Sequence, residues 1–352
     1  MKVDKSKRKI CLLEEICSIR TGKKDANHAD DNGCYPFFTC GAIPLKSTTY
    51  SFEGANLIVP GNGDIGRCFY YDGKIEAYQR TYVIQLKDNS NIDTKYLYSI
   101  FKACWKSYIE NKILGAAMPY IKLGHLNSFP IPIYDLDIQL LITSELDAMQ
   151  AMIDGYKAQI ADLDALAQSI FHNTFGNVAI NDKCWNIIPM GQLGNFKNGL
   201  NYSKEERGKS VKIIGVGDFH CIKCISSFDN ISYIEVEDTP QEYLLHNEDI
   251  IFVRSNGNKN LVGRCLEVFP NNTEVTFSGF CIRFRKSVEI INKYLISLLT
   301  DIEFKNTHIL KSNGIGIQNI NQKLLSSLPI PVPPIGMQKK YAAQVEAIEK
   351  QK

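Results

Sequence analysis

Long apolar runs are missing from this 352-residue sequence. None approaches the roughly 20 residues needed to cross a bilayer, so no membrane span is expected. The basic start, Met1 to Lys9, has no apolar core or small-residue cleavage site behind it, which argues against a signal peptide. Regularly spaced cysteines are also missing. The 11 present are scattered, as in a reduced, cytoplasmic protein rather than a disulfide framework. Catalytic signatures are absent as well: there is no G-x-x-x-x-G-K-S/T loop and no nucleophile with His and Asp in a recognisable local context. Neither an Asn/Asp-Pro-Pro-aromatic motif nor a Pro-Asp followed by Glu-x-Lys is found. Jointly these absences point to a binding protein with no catalytic residue, metal or cofactor of its own.

What is present centres on the stretch from Ile138 to Phe171. Apolar residues fall at Ile142, Leu146, Met149, Ile153, Tyr156, Ile160, Leu163, Ala167 and Ile170, in alternating steps of four and three. That is the seam of a coiled coil. A helix of this length rises roughly 50 Å at 1.5 Å per residue. Residues 136–176 carry one Lys or Arg against six Asp or Glu, so the helix is an acidic strut. The flanking regions are only mildly basic, and the formal net charge is +2, so global charge makes no separate case for nucleic acid.

The two sides of the strut read as one design used twice. Before it, aromatic and β-branched residues alternate with Gly, Pro and Asn, followed by a helical spacing over Thr94–Ile109. After it, Lys197-Asn198-Gly199 answers Thr21-Gly22-Lys23, and Gly263-Arg264-Cys265 answers Gly66-Arg67-Cys68. Lys293-Tyr294-Leu295 answers Lys95-Tyr96-Leu97, and Leu328-Pro329-Ile330-Pro331 answers Phe129-Pro130-Ile131-Pro132. Gln338 then answers Gln139, which puts Tyr341, Val345 and Ile348 on the seam positions of Ile142, Leu146 and Met149. An insertion near Val211–Ser232 accounts for the larger offset of the later landmarks. The expected architecture is α+β: two tandem mixed β/α domains (1–135 and 177–334), each followed by a long coiled-coil helix (136–176 and a shortened 335–352).

A Gly-rich loop before a strand, a Tyr-Leu helix, a Pro-Ile-Pro exit and a Gln-bearing long helix in each half resemble the specificity subunits of type I restriction–modification enzymes. The resemblance covers essentially the whole chain, and its weight rests on the order and repetition of short motifs. It implies that each half is a target recognition domain reading one part of a split double-stranded DNA sequence. It implies further that the helices dock modification subunits, which carry the methyltransferase and its S-adenosylmethionine, and that a translocase–nuclease restriction subunit joins for cleavage. About 18 residues follow the second domain, against roughly 35 in the first helix. This leaves Tyr156 to Ile170 without an intramolecular partner and opens an alternative in which the free seam pairs with another chain. Two other readings stay open: the specificity part of a related two-subunit restriction system, and a coiled-coil interaction scaffold with no DNA role.

Gly61-Asn62-Gly63-Asp64-Ile65-Gly66 fits the dinucleotide-binding G-x-G-x-x-G, but Arg67-Cys68-Phe69-Tyr70-Tyr71 reads as a strand where a helix is needed. The alternatives are a structural turn and a loop that approaches DNA. Its counterpart, Arg254 to Asn260, is more polar and basic, which favours the second. His220-Cys221-x-x-Cys224 is a partial zinc pattern without a fourth ligand and reads as free thiols. Arg and Lys can bond guanine, Asn and Gln can bridge adenine, and Lys meets phosphate. On that chemistry the candidate DNA contacts of the first half are Lys23, Lys24, Asn62, Arg67, Arg80, Tyr120 and Lys122. Those of the second are Lys197, Asn198, Tyr202, Arg254, Asn256, Asn258, Lys259, Gln318 and Asn319. Each is also explained as a solvated loop side chain, and Arg67 and Arg264 as partners of a carboxylate. The seam residues Ile142, Leu146, Met149, Ile153, Tyr156, Ile160, Leu163, Tyr341, Val345 and Ile348 are the candidate partner surface.

Overall fold

Strands buried along nearly their whole length need cover on both faces, and among the described residues Ala55–Pro60 and Asp249–Val253 are two such strands, apolar except for Asn56 and Asp249. Each is the middle of its own sheet. The computed structural model describes residues 8–88, 90–115, 117–202, 207–219, 224–237, 240–257, 261–310 and 319–352. They divide into two compact units, with the boundary between Tyr156 and Lys157.

The first unit holds β1 (Lys9–Leu12), β2 (Cys17–Thr21), β3 (Tyr35–Phe38), β4 (Leu45–Ser47), β5 (Ala55–Pro60), β6 (Phe69–Asp72), β7 (Glu76–Ala77), β8 (Thr81–Leu86) and β9 (Pro130–Ile133). Its helices are α1 (Leu13–Ile16), α2 (Thr94–Ile100), α3 (Lys106–Glu110), α4 (Leu123–Asn127) and the first half of α5 (Leu136–Phe175). The strands form an antiparallel sheet β2-β8-β5-β6, a small sheet β4-β3-β7 and the pair β1-β9. Because side chains alternate along β5, Leu57 and Val59 face Leu97, Phe101 and Trp105, whereas Ile58 faces Phe38, Phe52, Ile75 and Val83.

The second unit repeats the plan with β10 (Asn186–Pro189), β11 (Gly194–Asn198), β12 (Lys209–Ile214), β13 (Cys224–Ile225), β14 (Tyr233–Val236), β15 (Asp249–Val253), β16 (Cys265–Val268), β17 (Val275–Phe277), β18 (Cys281–Lys286) and β19 (Pro329–Val332). Its helices are the end of α5, then α6 (Met190–Leu193), α7 (Asn292–Thr300), α8 (Ile302–Phe304), α9 (Gln322–Ser326) and α10 (Ile335–Glu349). The sheets are β11-β18-β15-β16-β13, β14-β12-β17 and β10-β19. Among the described residues, β13 is the one strand without a counterpart in the first unit, and it lies in the segment read as an insertion.

Buried polar side chains fix equivalent points of the two units. Gln139 accepts from the Asp93 amide (2.9 Å) and donates to the Asn91 and Tyr134 carbonyls (3.1 and 2.7 Å). Gln338 accepts from the Ile291 amide (3.0 Å) and donates to the Pro333 carbonyl (2.8 Å). Each glutamine ties the start of a long helix to the segment before α2 or α7. The Tyr96 and Tyr294 hydroxyls donate to the Pro132 and Pro331 carbonyls at 2.5 and 2.6 Å. The Tyr-Leu and Pro-Ile-Pro landmarks are thus two ends of one hydrogen bond, made once in each unit.

In the second unit, α10 runs antiparallel to the end of α5. The Tyr341 ring packs on Phe171 and Phe175 (centroids 5.6 and 5.3 Å apart), Val345 shares a cleft with Ala167 and Gln168, and Lys352 meets Asp164 at 2.6 Å. The expectation that everything from Tyr156 to Ile170 lacks a partner is therefore corrected. An antiparallel helix meets the end of α5 first, so Ala167 and Phe171 are buried by α10. The bare part of the seam lies earlier. Leu146, Met149, Ile153, Tyr156 and Ile160 are exposed and Ile142 and Leu163 half-buried, whereas Tyr341, Val345 and Ile348 are buried.

One pair of sites shows different chemistry on the same backbone. Registers Leu57↔Ile84 and Ile250↔Phe284 place Asn56 beside Gln85 and Asp249 beside Arg285. The Gln85 amide donates to Asn56 at 2.9 Å, whereas Arg285 grips the buried Asp249 carboxylate with two bonds of 2.7 Å. Asp249→Asn leaves Arg285 without its counter-charge and is expected to cost about 2–3 kcal/mol, towards the low end for a buried pair because Arg285 is 31% exposed. Asp249→Asn combined with Arg285→Gln rebuilds the amide pair of the first unit and should recover most of the loss in urea unfolding. Equal losses in the single and double variants would contradict the equivalence of the two sites.

Candidate nucleic-acid interface

Loops leave the same end of the main sheet in each unit, because β2 and β5 finish where the antiparallel β8 begins, as β11 and β15 do with β18. Four backbone hydrogen bonds fix these loops to one another. In the first unit the Gly22 amide donates to the Thr81 carbonyl (3.2 Å) and Gln79 to Lys24 (2.9 Å). Gly61 donates to Arg80 (2.8 Å) and Ile121 to Gly61 (2.9 Å). The second unit makes the same four: Gly199 to Cys281 (3.0 Å), Gly279 to Leu200 (2.8 Å), Arg254 to Phe280 (2.8 Å) and Ile320 to Arg254 (2.8 Å). Short bridges complete the match, Asn62 with Tyr120 and Ser255 with Asn319.

Gly22 and Gly199 are the residues this frame demands. A Cβ on Gly22 would lie 1.8 Å from the Ala77 carbonyl oxygen, and one on Gly199 2.1 Å from that of Ser278. Gly61 is also closely approached, a Cβ there lying 2.4 Å from the Arg80 carbonyl oxygen, but at the other matched positions the side chains differ. By their hydrogen bonds, Lys24 corresponds to Leu200, Gly61 to Arg254, Asn62 to Ser255, Arg80 to Phe280 and Tyr120 to Asn319.

The structure brings together Asn62, Arg80 and Tyr120, which line a cleft of about 370 Å³ with Thr21, Gln79, Tyr82 and Met118. Lys23 and Lys24 lie in the adjoining turn, where Gln79 is bonded to Lys24. Among the described residues, Lys23, Lys24 and Arg80 have no ion-pair partner, while the Asp25 carboxylate of the same turn accepts from Gln79 at 3.2 Å, so the rim is basic on balance. Two candidates sit apart. Arg67 is held by Asp64 at 2.6 Å and leans on the Phe69 ring, while Lys122 caps α4 beyond the cleft. In the second unit Tyr202, Arg254, Asn256 and Asn319 fall in the corresponding loops, and Asn198 is the last residue of β11, where that strand meets them. Lys197 instead lies within β11, paired with Glu242 at 2.7 Å and set over the Tyr243 ring. Asn258, Lys259 and Gln318 lie outside the described residues, as do His220 and Cys221 of the partial zinc pattern.

Sequence reasoning missed Met118, Asn201 and Phe280. Phe280 follows the alternating Val275–Phe277 and reads as strand core, yet it is 63% exposed. Its offset of 200 from Arg80 was the available signal. The Gly61–Gly66 loop runs on to β6 and not to a helix, which removes the dinucleotide reading. Burial pushes the Cys17 and Cys281 thiols up to about 12 and raises Cys68 further, so none of these is a thiolate nucleophile at neutral pH. Among the described residues no group of three His, Cys, Asp or Glu could hold a metal, and no helix is long and apolar enough to cross a membrane.

Comparisons with known proteins agree with this duplicated frame. The chain is 27% identical over 363 residues to the Escherichia coli type I restriction enzyme EcoDI specificity subunit, covering 96% of this chain and 80% of the relative. It is 27% identical over 264 residues to the Salmonella potsdam StySPI specificity subunit, covering 69% of this chain and 56% of that one. The crystal structure of the type I restriction–modification S subunit from M. genitalium superposes with a TM-score of 0.60 at 17% identity, covering 100% of this chain and 92% of the other, which shows a shared fold. The model for the type I restriction modification DNA specificity domain matches residues 6–164 and again 174–352. The chain therefore belongs to the type I restriction–modification DNA specificity family and carries two of its domains in tandem.

Proposed function

We propose that this chain is the non-catalytic, sequence-reading subunit of a type I restriction–modification complex, with each unit reading one part of a bipartite duplex target. The observation that carries this is the pair of loop clusters built on the same backbone bonds with different side chains. A frame with Asn62, Arg80 and Tyr120 in one copy and Ser255, Phe280 and Asn319 in the other suits two different base sequences. Target recognition domains at 1–135 and 177–334, joined by a helix at 136–176 and followed by another at 335–352, are the division that fits this role.

The 40-residue α5 rises roughly 60 Å and serves as a ruler. Half-sites read from one side of a duplex lie about one helical turn apart, roughly 34 Å. Lys23, Lys24 and Arg80 meet phosphate or guanine in one half-site. Arg254 with the amides Asn198, Asn256 and Asn319 serves the other. With a net charge of only +2, the subunit alone binds DNA weakly, and its partners supply much of the phosphate contact. Those partners are modification subunits, which hold S-adenosylmethionine, and a translocase–nuclease subunit, working on cytoplasmic DNA. The exposed seam from Leu146 to Ile160 is their docking surface, with pairing to another chain as the competing use.

Two experiments test this reading. Exchanging residues 1–135 for those of a relative with a different target should change one half of the methylated sequence in cells and leave the other half intact. A contiguous target, or an unchanged one, would falsify the two-reader assignment. Ile160→Asp, on the exposed seam, should leave the unfolding free energy of the isolated chain within about 0.5 kcal/mol of wild type. The same change should reduce copurification of the modification subunits. Loss of the fold with assembly intact would place Ile160 in the core instead.

A further inference from the structure

From the shared frame we infer that one equivalent position, Arg80 in the first unit and Phe280 in the second, selects a base in each half-site, and that Phe280 does so by touching the 5-methyl group of a thymine. This rests on the two-reader function above and adds the residue and the base.

The backbone of Phe280 is held in place by hydrogen bonds. Its amide is 3.3 Å from the Ser278 hydroxyl, and its carbonyl accepts from Arg254 at 2.8 Å. The preceding Gly279 is bonded to Leu200, and the Arg254 guanidinium lies 3.4 Å from the Gly279 carbonyl. The ring joins none of the apolar clusters of its unit and is 63% exposed. A single exposed aromatic is ordinary on a protein surface. This one is distinguished by its place, because the same backbone bonds in the first unit display Arg80 beside Asn62 and Tyr120. Neighbouring groups at the Phe280 rim are polar: Arg254, Asn319 and Asn201, whose side-chain oxygen would lie 2.0 Å from a Cβ on Gly279.

On the major-groove edge of DNA the one apolar group is the thymine methyl, which phenylalanine can contact, whereas arginine pairs with guanine O6 and N7. The two units thus present opposite chemistries at one frame position: a charged fork in the first half-site and an apolar plate in the second.

The test uses the complete methyltransferase complex of this chain with its modification subunits. The target is first defined by mapping methylated sites. Each thymine of the half-site assigned to residues 177–334 is then replaced singly by deoxyuridine, which removes only the methyl group. One such replacement should weaken binding by the wild-type complex roughly fourfold, the factor expected for losing one buried methyl contact. The Phe280→Ala complex should bind the thymine and uracil duplexes equally, while Phe280→Leu keeps the discrimination. No sensitive thymine in wild type, or a Phe280→Ala complex that still discriminates fourfold, overturns the inference. A uniform loss on every duplex overturns it too, marking Phe280 as a general contact. In all three cases a methylated target that remains bipartite leaves the two-reader function standing.

Discussion

Hydrogen bonds between loop backbones, rather than side chains, hold the loop end of each unit. The Gly61 amide to the Arg80 carbonyl and the Arg254 amide to the Phe280 carbonyl are the same bond in two sequences. Such bonds are insensitive to which side chain follows, provided that a residue without a Cβ stands at Gly22 and Gly199, where the next strand comes within contact distance. The loops can therefore diverge freely while the scaffold stays fixed, which is the physical requirement for a protein whose two halves read different sequences.

The scaffold beneath follows the same economy. Gln139 and Gln338, Tyr96 and Tyr294, and the buried strands β5 and β15 are matched in place and partner. Where the units differ internally, as between Asn56–Gln85 and Asp249–Arg285, the paired positions are kept while charge and the number of bonds change. The helix seam is where the two copies part. Tyr341 and Val345 are buried against the end of α5, whereas Leu146 and Met149 at the equivalent seam positions of α5 are exposed.

Much of this was legible in the sequence because the duplication leaves landmarks with mechanical reasons. Tyr-Leu and Pro-Ile-Pro recur since a tyrosine hydroxyl binds a proline carbonyl, and the long-helix glutamine recurs since its amide closes a buried gap. The loop chemistry was less legible. Arg67 looks like Arg80 in sequence, yet a carboxylate three residues earlier claims it, and Lys197 is claimed by Glu242 across the sheet. Phe280 was hidden because alternation along a strand predicts burial, and only the frame shows that the strand starts one residue later. The antiparallel run of α10 also lies beyond periodicity, which finds a seam but not the direction of its partner.

The most direct test of two equivalent reading ends is protein footprinting of the assembled methyltransferase complex with and without its target duplex. The account predicts protection in both units on binding, concentrated at residues 22–24, 61–62, 79–80 and 118–120 and at 199–202, 254–256, 279–280 and 319. Protection confined to one unit, or centred on the opposite end of the sheets, would contradict it.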